Sequence, residues 1–169
     1  MIVAQWSVML LSWCEWLYST ELSATIRESL WVYPMLHFWH ILANTFMFGT
    51  IVFLDLRLIG VGFAKRRVTD IAAQILPWTW FGWAMMFLSG GLIFASDPVR
   101  YYGNTYFRIK FALMALAGVN ALLFHTTFFK TVARWDEGAV PGRARMAGLV
   151  SLVSWVLIVF AGRAVGYFE

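Results

Sequence analysis

The sequence predicts an all-α integral membrane protein, a four-helix bundle with an N-terminal amphipathic interfacial helix and both termini outside. Hydrophobic residues make up 61% of its 169 residues and charged residues only 13%, whereas about a quarter of a soluble domain is charged. The mean hydropathy is +0.70. Four apolar stretches reach the roughly 20 residues that cross a bilayer, and only short connectors separate them.

The predicted spans cover residues 31–56, 71–96, 106–129 and 146–167. They assign residues 31–169 to one bundle of four transmembrane helices and leave residues 1–30 as an N-terminal interfacial amphipathic segment. A bundle of this size uses up the chain, so we expect any chemistry to take place within the bundle or just above it.

The distribution of Lys and Arg predicts how the bundle is oriented. Most of the basic residues lie at the first and third connectors, as Lys65, Arg66, Arg67, Lys130, Arg134, Arg143 and Arg145, whereas the opposite side has Arg27, Arg100, Arg108 and Lys110. Because cytoplasmic loops are enriched in Lys and Arg, we expect these two connectors to face the cytoplasm. The chain is then a multi-pass protein of the bacterial cytoplasmic (inner) membrane, with both termini and the 97–105 connector facing outward.

The first 20 residues predict a helix that lies in the membrane interface. Apolar side chains share one helical face: Trp6, Met9, Leu10, Trp13, Trp16 and Leu17. Polar side chains share the other: Gln5, Ser12, Glu15 and Ser19. This pattern suits an interfacial anchor, or a lid over the outer end of the bundle. Leu22, Ile26 and Leu30, spaced four apart, predict a second short helix that leads to Pro34.

Composition and motifs exclude several kinds of site. The single Cys14 rules out an internal disulfide and a multi-cysteine metal or iron–sulfur site. The sequence has no glycine-rich phosphate motif, no Ser-His-Asp arrangement and no pair of carboxylates within one span. The net charge of +4 comes from basic residues at helix ends, so nucleic-acid binding is not expected.

The first span carries polar residues at a depth where hydrocarbon offers them no water. At 100° per residue, four of its polar side chains fall within about 60° of arc and face the protein. They are His37, His40, Asn44 and Asp55. An ionisable side chain inside a span is a functional-site hypothesis by default. Near the inner end, Asp55 is also expected to form a structural pair with Arg57.

The sequence offers a set of candidate contacts for a haem. His40, roughly 9 Å below the outer end of its helix, is the leading candidate for a metal ligand, with His37 one turn nearer the surface. Lys110 or Met114, four residues apart on the third span, would supply the second axial ligand, or that position would be empty. Glycines that admit a flat macrocycle and arginines that pair with its carboxylates complete the cofactor-binding set: Gly90, Gly91, Arg108 and Arg163.

His125 is expected not to share an iron with His40. It lies about 7 Å from the inner end of the third span, so the two histidines would differ by some 15 Å in depth. A haem clamped by these two residues therefore conflicts with the predicted topology. The cluster of Trp78, Trp80 and Trp83 is interpreted as packing rather than as part of a cofactor site.

Two other classes of function stay open at this point. Without a cofactor, the chain would be a structural or assembly subunit that associates with itself, as a homo-oligomer, or with a larger membrane complex. Alternatively, His37, His40 and Asn44 would line a copper or proton path together with Met114, because imidazole and thioether ligands suit copper.

Short runs along the chain form a pattern from residue 20 onward. They are 28–34, 40–42, 48–49, 54–60, 76–78, 107–110, 120–125, 135–136 and 162–163. In these runs the chain resembles a family of bacterial four-helix inner-membrane proteins whose function is uncharacterised. That family usually has an acidic residue where this chain has His37, which favours His40 as the ligand.

More distantly, the chain is similar to the four-helix membrane protoporphyrinogen oxidases and to the copper-resistance D-type membrane proteins. In the oxidases, an early first-span histidine and a lysine near the start of the third span are associated with haem b. His40 and Lys110 match these positions. The resemblance implies a haem b-binding protein for electron transfer or membrane redox chemistry, with a quinone or a periplasmic redox partner. Whether it is an enzyme, for example one that oxidises a porphyrin, is left open.

Overall fold

A computed structural model describes residues 2–63, 65–136 and 138–168, with the side chains of residues 2–6 outside that description. Trp6 and Gln5, assigned above to the two faces of the first helix, are therefore outside the described side chains. The helices are α1 (Ile2–Tyr18), α2 (Glu21–Glu28), α3 (Val32–Ile59), α4 (Val68–Ser96), α5 (Pro98–Gly103), α6 (Thr105–Leu123) and α7 (Gly142–Ala164). A π-helical turn (Phe124–Phe128) and a 3₁₀ segment (Phe129–Arg134) extend α6.

The all-α fold class is confirmed. Within the described residues, four helical stretches are long and apolar enough to cross a membrane, namely α3, α4, α6 with its extension, and α7. Their ends lie within about five residues of the predicted spans. The residues at two of the helix ends explain where the helices stop and start. The α3 helix ends at Gly60, whose φ of 89° is easily adopted by glycine. The α6 helix begins after Asn104, whose side chain accepts a hydrogen bond from the Phe107 N–H at 3.1 Å.

The bundle is open along one side. The α3 helix packs extensively on α4 and on α7, and α7 packs on α6. Among the described residues, α4 and α6 form no comparable contact. One end of the bundle, the α5 end, carries α1, α2, α5 and the C-terminal end of α7; the other, the basic end, carries the 60–67 and 135–141 connectors.

Glycines let the helices approach closely where α3 packs on its neighbours. A Cβ atom built on Gly82 of α4 would lie 3.0 Å from the Met47 Cβ and 3.2 Å from its Cα. A Cβ on Gly148 of α7 would lie 3.0 Å from the Leu58 Cβ. Small residues at such contacts are typical of membrane helix interfaces.

We expect Gly82→Val to destabilise the protein by about 1–3 kcal/mol, because the added side chain meets the backbone of α3 rather than a flexible chain end. Thermal unfolding in detergent measures the loss. Gly91→Val is the control on the same helix, since a Cβ there has no atom within 4 Å. Equal unfolding temperatures for the two variants would contradict the close approach of α3 and α4.

The α2 helix is fixed onto the C-terminal end of α4. The Ser23 hydroxyl and the Arg27 guanidinium both donate to the Ser96 carbonyl at 3.1 Å, which satisfies an acceptor at the helix end. Arg27 also lies 4.1 Å above the centroid of the Tyr18 ring. This polar cluster holds α1 and α2 against the α5 end of the bundle.

The α1 helix turns one narrow strip toward the protein. Cys14 is buried, whereas Trp13 and Trp16 are 58% and 59% exposed. The tryptophan face is therefore left free, as an interfacial position requires. That α1 lies in the interface, and that both termini are outside, remain predictions.

Candidate functional site

His40 lies at the contact between α3 and α4. Its Nδ1 is 3.0 Å from the Ser89 hydroxyl oxygen, and its Cε1 would lie 3.0 Å from a Cβ atom on Gly90. Because Gly90 has no side chain, the imidazole packs directly onto the α4 backbone. The sequence predicts that Gly90 leaves room for a flat macrocycle. In the structure, the His40 ring occupies that room.

Hydrogen bonding fixes which ring nitrogen of His40 carries the proton. The Ser89 hydroxyl donates its one hydrogen to the Met85 carbonyl at 2.7 Å, so toward His40 it acts as an acceptor. Nδ1 is then the donor, and Nε2 carries the lone pair. Histidines that bind metals are held in this way, with the second nitrogen donating to a neighbouring oxygen.

Lys110 of α6 reaches toward the same region from across the bundle. Its side chain lies on α7, where Nζ, Cε and Cδ would be 3.6–3.7 Å from a Cβ on Gly162. Within the described part of the chain Lys110 makes no ion pair, so its amine has no carboxylate partner there.

Met114, one turn further along α6, has different surroundings. It packs against the buried hydrophobic cluster that includes Met47, Met86 and Trp155. It also lines a cavity further toward the basic end. Its thioether is therefore part of the apolar core as well as a candidate ligand.

His37 is engaged by its own helix. Its Nδ1 donates to the Tyr33 carbonyl at 3.2 Å, and its ring centroid is 4.4 Å from that of Tyr33. The neighbouring Tyr33 and Tyr101 hydroxyls are 3.3 Å apart. His37 is thus near His40 but belongs to the aromatic contacts at the α5 end.

The remaining candidate contacts lie at the surface of the α5 end. Arg108 donates from Nε to the Tyr102 carbonyl at 3.0 Å, and Arg163 donates to the Tyr167 hydroxyl at 2.6 Å. Both arginines are exposed. Gly91 is exposed too, with no atom near the position of its missing side chain.

The expected pair of Asp55 and Arg57 is wrong. Arg57 instead donates from Nε to the Arg66 carbonyl at 2.6 Å. Residues two apart on a helix point about 200° apart, so they do not face each other. Asp55 is turned inward, 4% exposed, and the structure gives its Oδ2 no hydrogen-bond partner among the described residues.

A cavity of about 650 Å³ lies beside Asp55 at the basic end. We call it the basic-end cavity; among its lining residues are Asp55, Trp80, Trp83, Gly118, His125 and Ser151. The sequence does not predict this cavity, because it depends on α4 and α6 standing apart. Trp83 stacks on Phe87, whereas Trp80 is 67% exposed.

His125 occupies the π-helical turn of α6. Its Nδ1 donates to the Ala121 carbonyl at 2.9 Å, and the hydroxyls of Thr126 and Thr127 donate to the carbonyls four residues before them. Such side-chain bonds compete with the regular helix ladder. The turn places His125 at the basic-end cavity, and His40 packs on α4 toward the α5 end.

Across the described residues, no three His, Cys, Asp or Glu side chains come together as a metal-binding group. Comparison with protein-family models, with curated proteins and with solved structures finds no match to this chain.

Proposed function

We propose that this chain is a haem b-binding protein of the bacterial inner membrane that takes part in electron transfer. The observation that carries the proposal is the chain of hydrogen bonds from His40 through Ser89 to Met85, which leaves the Nε2 lone pair available. A neutral imidazole with its other nitrogen hydrogen-bonded is the usual form of a haem ligand.

The residues fit the cofactor in chemistry. Haem b bound there supplies a one-electron couple at its iron. His40 would hold the haem iron through Nε2, and Ser89 would keep its ring in that orientation and tautomer. The side chains of Arg108 and Arg163, at the same end of the bundle, are the cations suited to the carboxylate arms.

Lys110 is the residue that would hold the iron together with His40. Its amine lacks a carboxylate partner within the described residues, and its side chain lies over Gly162 of α7, toward the α5 end of the bundle. Met114 is already packed against the buried core. The electron partner is then a membrane quinone or a periplasmic protein.

We expect Lys110→Ala to convert a six-coordinate low-spin haem into a five-coordinate high-spin one, since the variant removes one axial nitrogen. Met114→Leu, which keeps the apolar volume, should leave the absorption spectrum unchanged. Absorption and electron paramagnetic resonance spectra of the oxidised proteins measure the spin state. If Lys110→Ala stays low-spin and Met114→Leu becomes high-spin, Met114 rather than Lys110 is the second ligand.

A further inference from the structure

The basic-end cavity has the dimensions of a small-molecule site. Its volume of about 650 Å³ lies inside the range of roughly 300–1,000 Å³ that is usual for ligand pockets. Its walls are mostly apolar, with few polar groups among them. An apolar cavity with a small number of placed polar groups is the pattern expected for binding a lipophilic molecule with one polar end.

Asp55 gives this cavity a buried carboxyl group. Asp55 is buried and is one of the lining residues, and its Oδ2, which exposes almost no surface, lacks a hydrogen-bond partner among the residues the structure describes. Ser151 of α7 also lines the cavity and adds a hydroxyl group to its few polar side chains. A buried polar atom without a partner costs about 1–3 kcal/mol, so a ligand that hydrogen-bonds to Oδ2 recovers stability as it binds.

The cavity lies where α4 and α6 stand apart. Residues of both helices line it, while α3 and α7 form its floor. Since these helices are candidate spans, the gap between them faces the hydrocarbon of the bilayer. A ligand would therefore enter sideways from the membrane and leave its apolar tail between α4 and α6.

Aromatic rings and a histidine favour a flat ligand head. Trp80 and Trp83 line the cavity in an edge-to-face arrangement, 6.3 Å between ring centroids, and aromatic faces of this kind pack well on a second ring. His125, whose Nδ1 donates to its own helix, keeps the lone pair on Nε2. The cavity thus combines ring-packing surface with a carboxyl group and an imidazole.

We propose that the basic-end cavity binds a lipid-soluble quinol, with a ring hydroxyl hydrogen-bonded to Asp55 and the apolar chain directed out between α4 and α6. A hydroxyl can both donate and accept, so it matches the carboxyl group whether that group is ionised or protonated. The quinol's role as an electron partner rests on the proposed function. Its binding does not.

The test is a titration of the protein in lipid nanodiscs with decylubiquinol under nitrogen, followed by calorimetry with empty nanodiscs subtracted. We expect saturable binding of about one quinol per chain. Asp55→Leu should weaken the affinity about tenfold or more, because a hydrogen bond to a buried carboxyl group is lost. The dimethyl ether of the same quinol cannot donate a hydrogen bond. Its affinity for the wild-type protein should therefore be as low as the affinity of Asp55→Leu for the quinol.

Two glycine variants test the location independently of Asp55. Gly118→Phe should also weaken binding about tenfold or more, since the new ring fills the cavity and a Cβ at this position meets no atom within 4 Å. Gly49→Phe is the matched control, because its Cβ position is equally open and it does not line the cavity. Its affinity should stay at the wild-type value.

The His40→Ala protein separates this proposal from the haem proposal. It should bind decylubiquinol with wild-type affinity even if it holds no haem. The quinol site is overturned if the wild-type protein shows no saturable binding, if the ether binds as tightly as the quinol, or if Asp55→Leu or Gly118→Phe keeps full affinity. If the Asp55→Leu protein does not fold, two measurements still test the quinol site. They are the affinity of the wild-type protein for the dimethyl ether and the affinities of Gly118→Phe and Gly49→Phe for decylubiquinol.

Discussion

Replacing His40 by alanine is expected to remove the haem absorbance of the purified protein altogether. In the proposed site, His40 supplies the axial nitrogen, and its ring is held by Ser89 over the α4 backbone at Gly90. Alanine offers no ligand in its place, and the loss of an axial histidine removes the iron–protein bond that anchors the cofactor. The Soret band of the variant, scaled to protein concentration, measures the effect.

His125→Ala is the matched control for that experiment. His125 has the same Nδ1-donating arrangement as His40 but lines the basic-end cavity, so its loss should leave the Soret band in place. A variant pair with the opposite behaviour, in which His125→Ala is colourless and His40→Ala keeps its haem, would contradict the assigned site.

Asp136→Ala is expected to cause the largest loss of stability, about 3 kcal/mol or more. Asp136 is 1% exposed and accepts from the Val68 N–H at 2.6 Å, from the N–H and hydroxyl of Thr69, and from Arg67. It thereby caps the start of α4 from the connector after α6. Alanine leaves these donors without their acceptor, and the unfolding temperature in detergent should fall by about 6–12 °C.

Asp70→Ala is the control for the capping role. Asp70 lies in the same first turn of α4 but is exposed, so its contribution is the helix-dipole effect of under about 1 kcal/mol. An Asp136→Ala protein no less stable than Asp70→Ala would show that Asp136 does not hold the two connectors together.

Asp136 also predicts how stability depends on pH. Burial raises the pKa of its carboxyl group, but the hydrogen bonds from Thr69 and Val68 and the charge of Arg67 outweigh burial and hold that pKa below its ordinary value. A lowered folded-state pKa adds stability above the unfolded value of about 3.9, and this is lost as the pH falls through the folded pKa. The unfolding temperature of the wild-type protein should therefore drop below about pH 4, and Asp136→Asn should lack this component.

The spans could be predicted from the sequence because apolar length alone sets them. Gly60, Asn104 and Pro98 then mark helix boundaries by local chemistry that a sequence shows directly. The depth difference between His40 and His125 follows from the same helix geometry, 1.5 Å per residue.

The contacts between helices could not be predicted in the same way. Ser89 as the partner of His40, the orphaned Oδ2 of Asp55 and the capping by Asp136 each join residues far apart in the chain. The basic-end cavity exists because α4 and α6 do not pack on each other. The spacing of apolar residues along a helix does not show which helices are in contact. The expected pair of Asp55 and Arg57 does not form, because residues two apart on a helix point in nearly opposite directions.

The haem content of the purified protein tests most directly whether the chain binds haem b. The protein is expressed in cells with ample haem, purified in mild detergent, and assayed by pyridine haemochrome together with oxidised and dithionite-reduced absorption spectra. We expect a b-type spectrum and about one haem per chain, bound by one axial histidine. A folded, colourless protein with no haemochrome band would contradict the proposal.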